Sequence, residues 1–321
     1  MVLTWSPDSQ LEGFEQRAIA LSDAVTYPGE PDGLSATLVR RGPPLRNRAV
    51  LYVHGWSDYF FQAHLAEHME SLGYDFYALD LRRYGRSLQE GQLAGFVADL
   101  SHYYEEFNEA VRIVRGEGHE GLVVMAHSTG GLVATLWAHD HPGGLSALVL
   151  NAPWLDLQRA PMWRTSLVLL VNALSTLSPT AVLSTAVNGF YRRSLHVSIG
   201  GAWDYDLNLK GHPAFMVRAG WLDAILAGQA RVAAGLAIEA PVLVATSSRS
   251  DFRTQWSDDF LRADIVLDVD KLAERCIHLG RHVTLARIPD GIHDLALSAP
   301  AARGAYFETV ARWLGAYGPE K

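Results

Sequence analysis

The stretch that most constrains this chain runs from Leu122 to Trp137. Four apolar residues, Leu122-Val123-Val124-Met125, lead into Ala126-His127-Ser128-Thr129-Gly130-Gly131, and a helical pattern through Leu132, Val133, Leu136 and Trp137 follows at once. A short, unbroken apolar run is what a strand buried on both faces looks like. When such a strand turns into a helix within a few residues, side chains near the turn must be small, because neighbouring Cβ atoms would otherwise collide. Ala126 and Gly130, two residues before and two after Ser128, meet that need. The predicted unit is a strand–turn–helix that exposes the serine hydroxyl above the sheet, the geometry of a nucleophile elbow. Ala126 stands where a second glycine is usual, so the G-x-S-x-G pattern is incomplete. A glycine-rich turn with an incidental serine is the plain alternative.

Short apolar runs and helical patterns alternate on both sides of this unit. Ala49–Val53 reads as a buried strand, residues 60–72 as a helix, Asp75–Leu79 as a strand, residues 99–115 as a helix, and Leu145–Asn151 as the strand after the elbow. Alternation resumes at Pro241–Thr246 and Val283–Ile288, with a closing helix near Ala301–Leu314. Such βαβα order implies a mostly parallel sheet with helices on both faces. The first 35 or so residues read as two antiparallel edge strands joined at Tyr27-Pro28-Gly29. From about residue 154 to 235 the alternation stops, and the chain is rich in Leu, Ala and Trp with no convincing central strand. The expected organisation is an α/β core over 1–153 and 236–321, with a helical cap over 154–235 above the carboxyl ends of the strands, where open α/β sheets bind ligands.

Composition narrows the function classes. A net charge of −8 over 321 residues argues against an electrostatic nucleic-acid binder. The single cysteine, Cys276, excludes an internal disulfide, and no His/Cys spacing suggests a metal. The start, Met1–Asp8, lacks the basic and apolar regions of a secretory leader, and the longest apolar run, near 166–174, is interrupted by Asn172 and shorter than a membrane span. The expectation is a cytoplasmic protein with no stable membrane anchor.

A serine hydroxyl is a poor nucleophile unless a base takes its proton and a third group orients that base. His293, in Asp290-Gly291-Ile292-His293-Asp294, is the one histidine after the last strand and sits in the loop before the final helix. For the acid, Asp264 leaves room for one helix and one strand before His293, whereas Asp251 would need an extra excursion. Asp264 is therefore preferred, with Asp251 and, more remotely, Asp268 as alternatives, and residues 249–262 form an inserted loop near the pocket. An N-cap or solvated loop charge is the ordinary reading of any of the three. Two backbone N–H groups should face a developing oxyanion. Thr129, directly after the serine, and Trp56, in the loop His54–Tyr59 after the first buried strand, are the candidates.

Taken together, Val53-His54-Gly55-Trp56, the loop Leu79–Ser87, the Ser128 elbow and Gly291-Ile292-His293-Asp294 resemble the α/β-hydrolase superfamily. The similarity is to the branch of monoacylglycerol lipases, lysophospholipases and S33-type aminopeptidases. It covers most of 35–155 and 240–315 but not the cap. In the loop that resembles D-x-x-G-x-G-x-S, Tyr84 replaces a usual small or polar residue. The resemblance implies an α/β-hydrolase fold, partners in the order Ser, acid, His, and two-step acyl transfer through an acyl-enzyme on Ser128, with no metal or organic cofactor.

The implied substrate is a small or lipid-like carboxylic ester. The cap holds Trp154, Trp163, Phe190, Tyr191, Trp203, Tyr205, Phe215 and Trp221, of which Trp154, Trp203 and Trp221 are the candidate substrate contacts. Packing of the cap on the sheet is the ordinary role of any one ring. The run Leu167–Val171 suits either a lipid-facing lid or a buried cap helix. Two other readings stand beside the esterase. One is an aminopeptidase whose amine would be held by Asp204, Asp206 or Asp223, and the other is a non-catalytic binding protein of the same fold.

Overall fold

The computed structural model describes residues 4–22, 25–157, 164–184, 189–211 and 214–320. Trp163, one of the aromatic residues singled out above, lies outside them. The N-terminal strands β1 (Ser6–Pro7), β2 (Glu15–Ala20) and β3 (Ser35–Arg40) run antiparallel. The expected hairpin is thus present as β2 and β3, with Tyr27-Pro28-Gly29 inside a longer connection and a further short edge strand outside it.

From β4 (Arg48–Val53) onward the chain alternates. Helix α1 (Ala63–Ser71) leads to β5 (Asp75–Asp80), α2 (Tyr104–Gly116) to β6 (Gly121–His127), and α3 (Ser128–Asp140) to β7 (Ala147–Asn151). Helix α1 begins later than its periodicity predicts, because the Phe60 N–H is drawn to the Asp80 carboxylate. Likewise Asp99 caps a 3-10 turn over Leu100–Tyr103, and only then does α2 start. After β7 comes a long insertion with α4 (Arg164–Leu177), β8 (Val182–Ser184), α5 (Phe190–Leu195), β9 (Val217–Arg218) and α6 (Ala219–Ala234). Its two strands pair with each other and not with the main sheet. The chain then returns through β10 (Val242–Ser247), α7 (Val269–Cys276), β11 (Val283–Ile288) and α8 (Pro300–Tyr317).

Among the described residues, the main sheet has nine strands in the order β1-β2-β3-β5-β4-β6-β7-β10-β11, and the last six are parallel. Alternate residues of its central strands feed two cores. Leu122, Val124 and Ala126 of β6 pack under α2 and α3 with Phe107, Leu132 and Trp137. Val123 and Met125 face α1 and α8 with Leu65, Met69, Tyr306 and Trp313. This two-sided burial is why β6 reads as an unbroken apolar run. Helix α4 packs on α6, and α6 also meets α3 of the main body. Within Leu167–Val171, Val171 is buried while Leu169 and Leu170 face outward.

In the loop after β5, the residue that breaks the glycine pattern is Arg83, three after Asp80, and it adopts φ 63°. A non-glycine residue is uncommon in this left-handed region. Arg83 is held there by its ion pair with Glu30 and by a hydrogen bond to the Phe96 carbonyl.

Candidate active site

The parallel strands β6 and β11 end on the same side of the sheet, so the loops after them, and the excursion after β10, deliver their side chains to one place. Ser128 opens α3 at φ 51°. This strained backbone, rare for a residue with a Cβ, lifts Oγ out of the helix axis. The glycines beside it are there for space. A Cβ on Gly130 would lie 2.1 Å from the His54 carbonyl oxygen, and one on Gly131 would lie 2.8 Å from Cβ of Pro153. Ala126, packed between β4 and β7, is accommodated without such a clash.

His293 Nε2 lies 3.0 Å from Ser128 Oγ, and its Nδ1 lies 2.9 Å from Oδ2 of Asp264. The other oxygen of Asp264 accepts the N–H groups of Val266 and Leu267, both at 2.7 Å. The Asp264 side chain is fully buried and its orientation is fixed from two sides. Asp251 does not reach His293. It is paired with Arg253, whose guanidinium holds the Asp251 carboxyl below the usual range. Asp268 is spent as the N-cap of α7, accepting from Asp270 and Lys271 N–H. An Asp–His–Ser chain of this geometry keeps Nδ1 protonated and leaves Nε2 free to take a proton from Oγ.

The loop after β4 runs alongside. Its Gly55 comes so near the serine that a Cβ there would sit 3.1 Å from Ser128 Cβ. His54 anchors the loop, its Nε2 accepting the Leu81 N–H and its Nδ1–H donating to the Gly55 carbonyl. Thr129 lies in the first turn of α3, where backbone N–H groups lack helical acceptors. Thr129 follows Ser128 directly in the chain, and Trp56 follows Gly55 in the loop.

Of the three candidate contact tryptophans, the structure brings two together near Trp56. Trp221 packs against Trp56 with ring centroids 3.7 Å apart, and Trp154 lies 6.0 Å from Trp221. Trp154 is also tied to the elbow by its backbone N–H, which donates to the Ser128 carbonyl. Trp203 is elsewhere. Its indole N–H donates to the Leu297 carbonyl and its ring stacks on His64, so it fastens the insertion to the main body. The Asp204 side chain is exposed, Asp206 accepts from Asn208, and Asp223 accepts from Asn172.

Several neighbours of the site were given no individual role by the sequence reading, Tyr191 having figured only among the cap aromatics. Tyr191, from α5, presents its ring edge-on to His293 at 5.6 Å, and burial, with Asp294 and Asp58 nearby, pushes its phenol well above the ordinary value. It is therefore a neutral hydroxyl. Burial pushes the His127 imidazole down to about 4, against the opposing pull of Asp294. Asp294, beside His293, is buried and satisfied by Asn151, Gln62 and the Ala296 N–H. Asp58 is paired with Lys210. Burial alone would raise the Asp58 carboxyl, but the Lys210 ammonium outweighs it and holds it below the usual range. Position in the His54–Tyr59 loop was the one available signal for Asp58. Among the described residues, no group of three or more His, Cys, Asp or Glu side chains converges as metal ligands would.

Comparison with known proteins decides the family. The model of the family described as serine aminopeptidase, S33, matches residues 46–252. The chain belongs to this family of α/β-hydrolases. A monoacylglycerol lipase of Mycolicibacterium smegmatis is 34% identical over 107 residues, 32% of this chain and 37% of that protein. The uncharacterized protein YnbC of Escherichia coli is 28% identical over 143 residues, 42% of this chain and 24% of that protein. The chain therefore matches less than half the length of either relative. Two solved structures share the fold at 16% identity. The Paleococcus ferrophilus monoacylglycerol lipase superposes with a TM-score of 0.65, covering 88% of this chain and 98% of that one. A soluble variant of the Saccharomyces cerevisiae monoglyceride lipase gives 0.64, covering 91% and 94%. Among the described residues, no helix is long and apolar enough to cross a membrane.

Proposed function

We propose that this hydrolase cleaves carboxylic esters through Ser128, with His293 as base and Asp264 as the residue that orients it. The observation that carries this reading is the hydrogen-bonded series Asp264–His293–Ser128, at 2.9 and 3.0 Å. Ser128 Oγ attacks the ester carbonyl while His293 Nε2 takes its proton. The carbonyl π electrons move to oxygen, and the N–H groups of Trp56 and Thr129 stabilise the resulting oxyanion. On collapse, the bond to the leaving alcohol breaks and His293 returns the proton to it, leaving an acyl group on Ser128. Water, deprotonated by the same imidazole, then releases the acid and regenerates the serine.

The substrate class we propose is a monoacylglycerol or similar ester with an apolar acyl chain, laid against Trp56, Trp154 and Trp221. Residues 154–235 would act as the cap that encloses it. The name of the Mycolicibacterium relative and the apolar character of this wall support that choice. The aminopeptidase reading loses support, since Asp204, Asp206 and Asp223 are exposed or otherwise engaged.

A fluorophosphonate probe and two substrate series test the proposal. Wild-type protein should be labelled and S128A should not, and p-nitrophenyl esters and monoacylglycerols should be hydrolysed while aminoacyl-p-nitroanilides are not. An unlabelled wild type that is inert on every ester would overturn the assignment and favour a binding protein.

A further inference from the structure

The loop that carries the Trp56 N–H is gripped at its flanks by the sheet and in its middle by the insertion. At the flanks, His54 bonds Leu81 and Phe60 N–H bonds Asp80. Between them, four consecutive residues meet the segment 206–221. Trp56 packs on Trp221 and Phe215, Ser57 Oγ accepts the Phe215 N–H at 3.3 Å, Asp58 pairs with Lys210, and the Tyr59 hydroxyl accepts the Asp206 N–H at 3.0 Å. Among the described residues, the hydrogen bonds that reach the Ser57, Asp58 and Tyr59 side chains from outside this loop all come from the insertion. The fit is close, because a Cβ on Gly211 would lie 2.2 Å from Ser57 Oγ.

Within this grip the Asp58–Lys210 pair stands out. Both side chains are buried, and the Phe61 and Tyr205 rings lie 5.0 and 5.7 Å from the Lys210 ammonium. A buried ammonium is strongly disfavoured without its carboxylate, so the pair holds its geometry tightly. The same Asp58 oxygen that receives Lys210 also accepts the Tyr59 backbone N–H at 2.9 Å. The ion pair therefore fixes loop backbone three residues from Trp56. Ser57, between them, sits at φ 51°, a left-handed conformation that persists only when its surroundings enforce it.

We propose that Lys210 is a positioning residue for the oxyanion loop: through Asp58 it lets the insertion, rather than the sheet, set where the Trp56 N–H points. This rests on the ester-hydrolysis reading above. An oxyanion donor works only when aimed within a few tenths of an ångström of its target. Loss of the tether should thus slow the chemical step for every ester alike and leave ground-state binding nearly untouched.

The test uses the full chain with K210M, K210R and the double variant D58N/K210M, assayed on p-nitrophenyl acetate, butyrate and decanoate. K210M should lower kcat at least about tenfold by a similar factor on all three, with KM changed less than about twofold, and K210R should recover most of it. In D58N/K210M both charges are gone, so Tm should recover while kcat stays low. Hydrogen exchange of the backbone over 54–61 should rise about tenfold in K210M, and this needs no activity. A kcat within twofold of wild type, a loss that grows with acyl length, a kcat that recovers together with Tm, or unchanged exchange over 54–61 would each overturn the proposal. An inactive, unlabelled wild type would sink the esterase reading alone, with the exchange comparison still deciding the tether. If K210M does not fold, K210R and the double variant carry the decision.

Discussion

Every residue of β4, β5, β6, β7 and β10 is buried, whereas the insertion between β7 and β10 leaves Leu169, Leu170, Leu177, Val182 and Met216 exposed. The strands are fixed by ladder hydrogen bonds and by side chains packed on both faces, so their ends cannot move without breaking many contacts at once. The insertion is held to the main body by contacts of specific kinds, among them α6 on α3, an indole bond from Trp203 to Leu297, the tilted Trp56–Trp221 pair and the buried Asp58–Lys210 ion pair. Ser128, His293 and Asp264 belong to the first regime, and the aromatic wall belongs in part to the second. The contrast teaches that the Asp264–His293–Ser128 contacts rest on the main body, whereas the insertion meets the site through the aromatic wall and its grip on the His54–Tyr59 loop.

The widest separation is expected between two aspartates close in sequence. D264N should lower kcat by about 10³- to 10⁴-fold with the fold intact, because the imidazole loses its tautomer and orientation. D251N, which removes a partner of Arg253, should change it less than about threefold. Equal losses on one ester would mean that the carboxylate in contact with His293 is not the one that matters. Next is G130A, where the added methyl would meet the His54 carbonyl oxygen at 2.1 Å. It should cost about 3 kcal/mol in urea unfolding, and a near-neutral result would show that the junction of α3 and the β4 loop yields more readily than its packing implies.

A third test is read through pH. His127 is held near 4 when folded and titrates near its ordinary value of about 6.5 when unfolded. Between those values the unfolded chain binds a proton that the folded chain does not. Its contribution is thus intact above about pH 6.5 and is lost as pH falls towards 4, at about 1.4 kcal/mol per pH unit. H127N should flatten the pH dependence of unfolding by that slope, and parallel curves for the two proteins would refute the assignment. The smallest effect belongs to the insertion surface. L169S/L170S should alter stability by no more than about 0.5 kcal/mol, and a cost above about 2 kcal/mol would show that these leucines are covered in solution.

What could be read from the sequence follows the same division. The strand β6, the turn at Ser128 and the mostly parallel character of the sheet were legible because burial on both faces and close packing at a turn leave local marks, an unbroken apolar run and small residues. Asp264 was favoured over Asp251 by chain length alone, which works because one helix and one strand separate it from His293. Trp203 shows where this fails, since a tryptophan in a list of aromatics carries no mark of the face it will occupy. The Asp58–Lys210 pair was invisible for a related reason. Its partners are 152 residues apart, and each taken singly reads as an ordinary surface charge. The late start of α1 was equally hidden, because the Asp80 carboxylate that captures Phe60 N–H comes from the end of β5, 20 residues further on.

The position of α6 has a consequence for anyone who would exchange one lid for another. Strands β7 and β10 are hydrogen-bonded neighbours running in the same direction, so the chain that leaves the top of β7 must travel back to the bottom of the sheet before β10 can begin. Helix α6, at 16 residues about 24 Å long, makes that journey against α3. One helix thus serves both as the last element of the insertion, packed on α4, and as the return stroke to β10. A graft cut at residue 235 would sever that stroke, whereas one that ends before Ala219 would leave the sheet wound as it is.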